Sequence, residues 1–219
     1  MQDYKAYEQA GLANEYEKLA DYSLFMVCEK PNINAFRELP DGYSVRLCRR
    51  DELEVWKRVI AEERFVDYVT DYYDKIYAVS EKEFFKRCTF VCNAEDTPIA
   101  SCFIWKSYGQ VDTIAWFRTL PEHEGRGIGR ALLSELLKAA DTPIYLHTHP
   151  SAICAIKLYS DMGFALITNP AIGYRKNAYM ASLPYMQKAM RASDYEKLRF
   201  VEVDDVLHKI ALSSEISQF

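Results

Sequence analysis

The chain has 219 residues, of which 49% are apolar, and a formal net charge of −5 at pH 7. This length and composition suffice for one sizeable core, whereas the acidic balance argues against a general nucleic-acid-binding protein. We find no stretch long and apolar enough to span a bilayer, no signal-peptide pattern and no CxxC pair among the six cysteines, so we expect a cytoplasmic protein with reduced thiols and no membrane partner.

The first forty residues are predicted to decorate the domain that follows. Residues 3–20 carry apolar side chains at helical spacing, the apolar run 24–28 predicts an edge strand, and residues 31–40 predict a loop. After the turn signal Asp-Gly at 41–42, apolar residues alternate from 43 to 48 and predict a first core strand. Helices are predicted after residue 51 and near residues 81–87, on either side of a segment dense in tyrosine and acid.

From residue 89 onward apolar residues recur at every second position, the spacing typical of a strand. Residues 89–94 and 99–106 predict a hairpin, and residues 111–119 add a third strand to an antiparallel meander.

Two strand–helix units follow the meander, and they include a strand at 144–148 and a helix that ends at Gly163. Residues 169–181 predict a loop, a helix is predicted to start near Pro184, and a last strand is predicted at 198–203. We therefore predict one domain over residues 41–203, with decoration 1–40 before it and a tail 204–219 after it. Its fold class is α/β, a mixed sheet with helices on both faces.

The strongest functional signal lies at residues 121–133, with the sequence Pro-Glu-His-Glu-Gly-Arg-Gly-Ile-Gly-Arg-Ala-Leu-Leu. The glycines at 125, 127 and 129 let the backbone bend tightly and approach a ligand. The helix that follows offers unpaired N–H groups and the positive end of its dipole, which favour an anion. The run is not a dinucleotide fingerprint, because residue 130 is arginine, and it is not a P-loop, because no Gly-Lys-Ser/Thr follows. It predicts a phosphate cradle.

A second motif, Ala-Ile-Lys-Leu-Tyr-Ser-Asp-Met-Gly-Phe at residues 155–164, follows about 30 residues later. Together with Gly-Tyr-Ser-Val-Arg at 42–46, the two motifs make residues 42–170 resemble the GNAT superfamily of N-acetyltransferases. The resemblance implies a GNAT-like fold, with a central, mostly antiparallel twisted sheet that splays between its fourth and fifth strands. It also implies acetyl-CoA as the cosubstrate.

In the family, the pyrophosphate lies on the amides of the glycine turn and the pantetheine arm lies along the preceding strand. The residues that the resemblance assigns to acetyl-CoA are Trp116, Phe117, Arg118, Gly125, Arg126, Gly127, Ile128, Gly129, Arg130 and Ala131. Glu124 departs from the family pattern, which usually has Gln or Arg at this position, and a carboxylate there opposes phosphate binding. Either Arg126 and Arg130 offset this charge, or the Glu124 side chain points away from the phosphates.

Tyr159 matches the tyrosine that often serves the family as general acid, where it would protonate the leaving thiolate. Without the resemblance, its place on an apolar helix stripe favours a core tyrosine. His147 and His149 share a strand face with Tyr145, next to the expected thioester gap, and are candidates for the general base, directly or through water. They equally suit a structural role at the end of the strand, with their ring nitrogens hydrogen-bonded to neighbouring residues. Metal binding by the two histidines is disfavoured, because no third ligand is near in sequence. Glu122 and His123 are weaker candidates.

Acidic and aromatic residues concentrate where the family places its acceptor-site helices. They predict either an acidic, aromatic-lined mouth for a cationic amine or a solvated helix face. The residues are Glu62, Glu63, Asp67, Tyr68, Asp71, Tyr72, Tyr73 and Asp74.

The sequence thus predicts an N-acetyltransferase that moves acetyl from acetyl-CoA to a primary amine by direct attack, without a covalent enzyme intermediate. Two other interpretations stay open: a non-catalytic acyl-CoA-binding or sensor domain, favoured by Glu124 and the lack of an obvious base, and a small-molecule-binding α/β domain without CoA. We expect no metal, and the final strand and tail are compatible with a homodimer.

Overall fold

The computed structural model describes residues 22–218, so the helix expected at residues 3–20 lies outside the described residues. The strands are β1 (Leu24–Cys28), β2 (Ser44–Leu47), β3 (Thr89–Cys92), β4 (Pro98–Ser107), β5 (Val111–Thr119), β6 (Ile144–Thr148), β7 (Ala165–Ile167), β8 (Ala171–Ile172), β9 (Arg175–Lys176) and β10 (Phe200–Val201). The helices are α1 (Leu53–Ile60), α2 (Val66–Tyr72), α3 (Glu81–Arg87), α4 (Ile128–Lys138), α5 (Ile153–Met162), α6 (Tyr179–Ala189), α7 (Ala192–Tyr195) and α8 (Asp205–Leu212). A π-helical turn, Tyr73–Tyr77, continues α2.

Eight of these strands form one sheet in the order β10-β7-β1-β6-β5-β4-β3-β2, and β8 and β9 form a separate hairpin. The meander β2–β5 is antiparallel, as predicted, and its strand at 111–119 has the predicted bounds. Only the pairs β5–β6 and β7–β10 are parallel among the described strands. The predicted fold class, a mostly antiparallel mixed sheet with helices on both faces, is confirmed.

Strand β1 is central, so the prediction of an edge strand at 24–28 was wrong. It lies between β6 and β7, antiparallel to both, and each of its five residues is at most 1% exposed. A continuous apolar run without alternation is typical of a strand that is buried on both faces. The division of the chain at residues 40 and 203 stays a prediction, although β1 shows that the sheet begins before residue 41.

Strand β2 forms the outer edge of the sheet rather than a core strand, which corrects the prediction for residues 43–48. Its apolar side chains Val45 and Leu47 are 40% and 49% exposed. The alternating pattern was recognised correctly as a strand, but alternation alone does not report how much protein covers the apolar face.

Two predictions near the carboxyl end also need correction. Pro184 lies inside α6, which begins five residues earlier, so it does not mark the first turn of that helix. The segment 169–181, expected to be a loop, contains the β8–β9 hairpin.

The sheet has two covered faces. Helices α4, α5 and α6 pack on one face against Leu24, Met26 and Leu146, and we call this the α4 face. Helices α1–α3 cover β3–β5 on the other face, and α8 covers the neighbouring region around Phe25 and Val27. We call this second side the α1 face. In the described part of the chain no helix is both long and apolar enough to cross a membrane.

Candidate active site

The glycine turn ends with a set of free backbone amides. Gly125 and Gly127 have φ of +74° and +85°, the left-handed region that glycine adopts without strain. Helix α4 then begins at Ile128, and its first intrahelical bond runs from the Ala131 amide to the Gly127 carbonyl at 3.0 Å. Within residues 22–218, the amides of 127–130 donate to no acceptor. These N–H groups at the positive end of the helix can bind an anion.

Gly129 has a different role from the other two glycines, because it lies within α4. A Cβ atom added to it would lie only 2.9 Å from Cζ of Phe117 on β5. The absence of a side chain therefore allows the first turn of α4 to pack directly against β5.

A gap opens between β5 and β6 next to this helix start. The two strands pair at Thr113 and Tyr145, and no further pairing joins them among the described residues. A bulge lies further along β5: Ser101 pairs with Arg118 and Phe103 with Ala115, so β5 contributes one residue more than β4. Trp116 stands in this bulge with φ of +51°. Such bulges redirect side chains and end strand pairing. Here the bulge lies beside the gap between β5 and β6, which are the fourth and fifth strands when the count starts at β2 and which were predicted to splay.

Tyr159 lies on α5, on the α4 face, and only 5% of it is exposed. Its ring packs 5.9 Å from the Phe117 ring and 5.7 Å from the Phe164 ring, measured between centroids. Burial, with a smaller contribution from Cys102, raises the pKa of the Tyr159 hydroxyl well above its usual range. The hydroxyl makes no hydrogen bond to any residue from 22 to 218, so its proton is available for donation at neutral pH.

His147 lies on the α1 face, in one layer with Phe25, and therefore on the opposite side of the sheet from Tyr159. Its Nε2 is 3.0 Å from Oγ of Ser23 and 3.3 Å from Nη1 of Arg175. Burial and, to a smaller extent, Arg175 and His149 lower the pKa of His147 to about 3. It is therefore a neutral, well-contacted histidine.

His149 is exposed at the end of β6, and its Nδ1 lies 3.1 Å from the Tyr22 carbonyl oxygen. A carbonyl oxygen only accepts, so Nδ1 carries the proton in this contact. The Nε2 atom of the neutral ring then holds the lone pair, which is the form that a general base needs.

A cavity of about 260 Å³ opens on the α1 face beside the bulge. It is lined by Ile60, Ala61, Glu62, Phe65, Tyr68, Val69, Trp116 and Arg118. Its aromatic wall is held in place, because the Trp116 indole N–H donates to the Tyr77 hydroxyl at 2.9 Å. The ring of Tyr72 stands 5.3 Å from Trp116.

Of the eight acidic and aromatic residues expected at an acceptor mouth, two, Glu62 and Tyr68, line this cavity. Asp71 is instead an exposed partner of Lys75, and Tyr73 is buried in the core beneath the helices. Aromatic side chains of the expected acceptor mouth are thus present, whereas most of its carboxylates face solvent.

The two arginines of the glycine turn are engaged elsewhere. Arg130 pairs with Asp161 of α5 at 2.5 Å, and Arg126 donates to the Tyr43 hydroxyl at 3.2 Å. Glu124 is exposed on extended backbone, directly before the turn.

The sequence profile of the Acetyltransferase (GNAT) family matches residues 53–164, which is just over half of the chain. The chain belongs to this acetyltransferase family. No functionally curated protein matches the sequence.

Solved GNAT structures resemble this chain at low sequence identity. A GCN5-related N-acetyltransferase from Sphaerobacter thermophilus is 17% identical over 63% of this chain and 47% of that chain, with a TM-score of 0.45. A GCN5-related N-acetyltransferase-like protein from Streptococcus suis is 17% identical over 72% and 64%, with a TM-score of 0.46. This chain thus matches less than two thirds of the length of either structure.

The sequence pointed to the glycine turn, Tyr159 and the two histidines as candidate site residues of this GNAT chain, and it did not point to Tyr77 or Arg175. Tyr77 is 1% exposed and packs among the aromatic rings of the core, and its hydroxyl accepts the hydrogen bond from Trp116. Arg175 lies in a segment without periodicity, so no local signal placed it beside His147. Both contacts join residues that are distant in sequence.

Proposed function

We propose that this GNAT chain transfers an acetyl group from acetyl-CoA to a primary amine by direct attack on the thioester, without a covalent enzyme intermediate. The observation that carries the proposal is the position of the free amides of 127–130 beside the gap between β5 and β6. An anion site next to an opening in the sheet suits a donor with a phosphate end and a reactive end.

The donor site would consist of the backbone at 125–131 for the pyrophosphate and at 116–118 for the pantetheine arm. Gly127 supports this assignment, because a side chain there would meet no atom within 4 Å, which leaves the turn open to a ligand. Acetyl-CoA supplies an activated thioester. The chain contributes fixed N–H dipoles that need no rearrangement when they bind an anion.

Tyr159 is proposed as the general acid. Its hydroxyl is protonated at neutral pH, and burial raises its pKa further, which makes it a weaker acid than an exposed tyrosine. Phe117 keeps the ring next to β5, on the α4 face of the gap. Proton donation to a departing thiolate is a role that a protonated hydroxyl without a hydrogen bond to residues 22–218 can perform.

His149 is the better of the two candidate bases. It is exposed, and the Tyr22 carbonyl fixes the tautomer that leaves Nε2 free to take a proton from an ammonium group or a water. His147, with its low pKa and contacts to Ser23 and Arg175, would position the end of β6.

Two measurements test the proposal. Thiol release from acetyl-CoA is followed with a panel of primary amines, and thermal unfolding is followed with and without CoA. Amine-dependent thiol release together with a CoA-dependent rise in melting temperature supports it. A melting-temperature rise without thiol release for any amine would instead indicate the acyl-CoA-binding or sensor domain, and the absence of both effects would contradict any role with CoA.

We further propose a cytoplasmic location, supported by the six cysteines, none of which forms a disulfide. Five of them are buried and Cys154 is exposed. The suggested homodimer stays a prediction.

A further inference from the structure

Two half-buried arginines on the α1 face have no carboxylate partner in the described part of the chain. Arg175 contacts the two ring nitrogens of His147 through Nη1, at 3.4 and 3.3 Å. Arg118 lines the cavity and donates from Nη1 to the Val59 carbonyl at 3.1 Å. Neither takes part in an ion pair within residues 22–218.

Two other half-buried arginines among the described residues are paired with carboxylates. Arg46 binds Glu52 at 2.7 Å, and Arg130 binds Asp161 at 2.5 Å. Removing a cation from water without a counter-charge is unfavourable, so a protein normally supplies a partner. Where a fold leaves such a charge unpaired beside a cavity, a ligand can supply the missing anion.

Two residues of the α1 face, Tyr72 of α2 and His147 of β6, interact electrostatically with Arg175. Burial raises the pKa of Tyr72, the neighbouring Tyr68 and Tyr108 add to this rise, and the charge of Arg175 opposes it.

Strand register gives the geometry. Beyond the parallel pair Thr113–Tyr145, His147 follows on β6 and Trp116 on β5, so the two residues stand on either side of the gap on the α1 face. Arg175, which contacts His147, therefore lies at the β6 side of the gap, across from the cavity beside Trp116.

Negative charge near this region comes from Glu62, at the rim of the cavity. Its carboxylate already binds Arg64 at 2.9 Å. His147 is neutral at physiological pH, because its pKa is about 3. The acceptor side is thus more cationic than the acidic sequence of residues 62–74 predicts.

We propose that the acceptor is an amine that also carries a carboxylate, with Arg175 binding the carboxylate and the cavity beside Trp116 holding an apolar side chain. This inference rests on the proposed function and narrows its substrate class to amino acids with apolar side chains. The planar guanidinium of Arg175 suits a carboxylate, since its fork can bind both oxygens. Simple cationic amines meet like charges, from Arg118 at the cavity and from Arg175 beside His147.

The test measures binding to CoA-loaded protein by calorimetry, so that it does not depend on turnover. The probes are matched pairs that differ only in the carboxylate: L-phenylalanine and 2-phenylethylamine, L-tyrosine and tyramine, and L-leucine and isoamylamine. In the wild type, we expect at least one amino acid to bind about tenfold or more tightly than its amine, the range of a charge-assisted contact.

Arg175→Gln should abolish this preference without weakening the binding of the matching amine. Arg175→Lys, which keeps the charge but not the fork, should retain part of it. Arg50→Gln removes an exposed arginine that is paired with Glu81 and should behave as the wild type. Circular dichroism melting of each variant shows whether it is folded. If Arg175→Gln does not fold, the carboxylate preference is compared between Arg175→Lys and the wild type instead.

Two results would overturn the inference: no pair with a preference for the carboxylate, or a preference that persists in Arg175→Gln. Thiol release from acetyl-CoA, measured with the same pairs, separates this inference from the proposed function. Turnover of amines without a carboxylate preference overturns the inference and supports acetyl transfer. A carboxylate preference in binding without thiol release supports the inference and contradicts catalysis.

Discussion

At the scale of single residues, Tyr159 has one property that suits a proton donor and one that opposes it. Its hydroxyl makes no hydrogen bond to residues 22–218, whereas burial raises its pKa well above the usual range and so makes it a weaker acid. The same position is also a packing position, because the ring lies among Phe117 and Phe164. A substitution that separates packing from proton donation therefore decides its role.

Tyr159→Phe keeps the ring and removes the proton. We expect kcat for amine acetylation to fall about 10- to 100-fold, at or below the lower end of the usual range for acid–base assistance, with the melting temperature nearly unchanged. Stopped-time thiol-release assays and thermal unfolding measure the two effects. Tyr179→Phe, a half-buried tyrosine of α6, is the control. An intact fold with unchanged kcat would assign Tyr159 to the core alone.

Glu124 lies directly before the free amides, and its carboxylate opposes an anion there. Glu124→Gln should strengthen acetyl-CoA binding by about 1 kcal/mol, or roughly fivefold in Kd, the size of a charge effect at a wet surface. Calorimetry measures the change, and Glu135→Gln, at an exposed residue that pairs with Lys138, is the control. An unchanged or weaker affinity would show that the side chain does not face the phosphates.

At the scale of elements, the start of α4 is defined by its contact with β5. Gly129 has no Cβ, so the helix approaches Phe117 closely and its free amides are held beside the gap. The sequence showed that glycine was needed here, and the structure shows that the reason is helix–strand packing rather than a bend.

Gly129→Ala should therefore weaken both stability and CoA binding. Overpacking against the Phe117 ring costs about 1–3 kcal/mol, which outweighs a gain of at most about 1 kcal/mol from helix propensity. Urea unfolding and CoA calorimetry measure the two effects. The double variant Gly129→Ala with Phe117→Leu, which recovers space, should restore part of each. A more stable single variant with unchanged CoA affinity would refute this account of the packing.

Strand β1 shows how far a local pattern can predict an element. Its five consecutive apolar residues correctly predicted a strand, but not its position between β6 and β7. Position in a sheet depends on pairing with residues more than 100 places away in sequence, such as Phe25 with His147. A local pattern carries no information about that partner.

At the scale of the whole molecule, His147 links stability to pH. In the folded chain its pKa is about 3, whereas an unfolded histidine titrates near 6.5. The contribution of neutral His147 to the free energy of unfolding is therefore complete above pH 6.5. It is lost as the pH falls toward 3, because in that range only the unfolded chain binds the proton. The slope from this residue alone is about 1.4 kcal/mol per pH unit within that window.

His147→Gln should remove this contribution, so that the free energy of unfolding falls less steeply between pH 6 and about 4. Urea unfolding at a series of pH values measures the slope. His208→Gln on α8 serves as the control and should keep the slope of the wild type. The same slope in the His147 variant would show that another group causes the acid sensitivity.

The sequence by itself determined the glycine turn, the start of α4, the meander and the end of α5 at Gly163, because these follow from backbone conformation and apolar period over a few residues. The family followed from two such motifs at the right spacing. Only the tertiary structure decided that β1 is central, that Tyr159 and His147 lie on opposite faces of the sheet, and that Arg175 lies beside His147. These are long-range contacts, which depend on how the whole core packs and not on the residues adjacent in sequence.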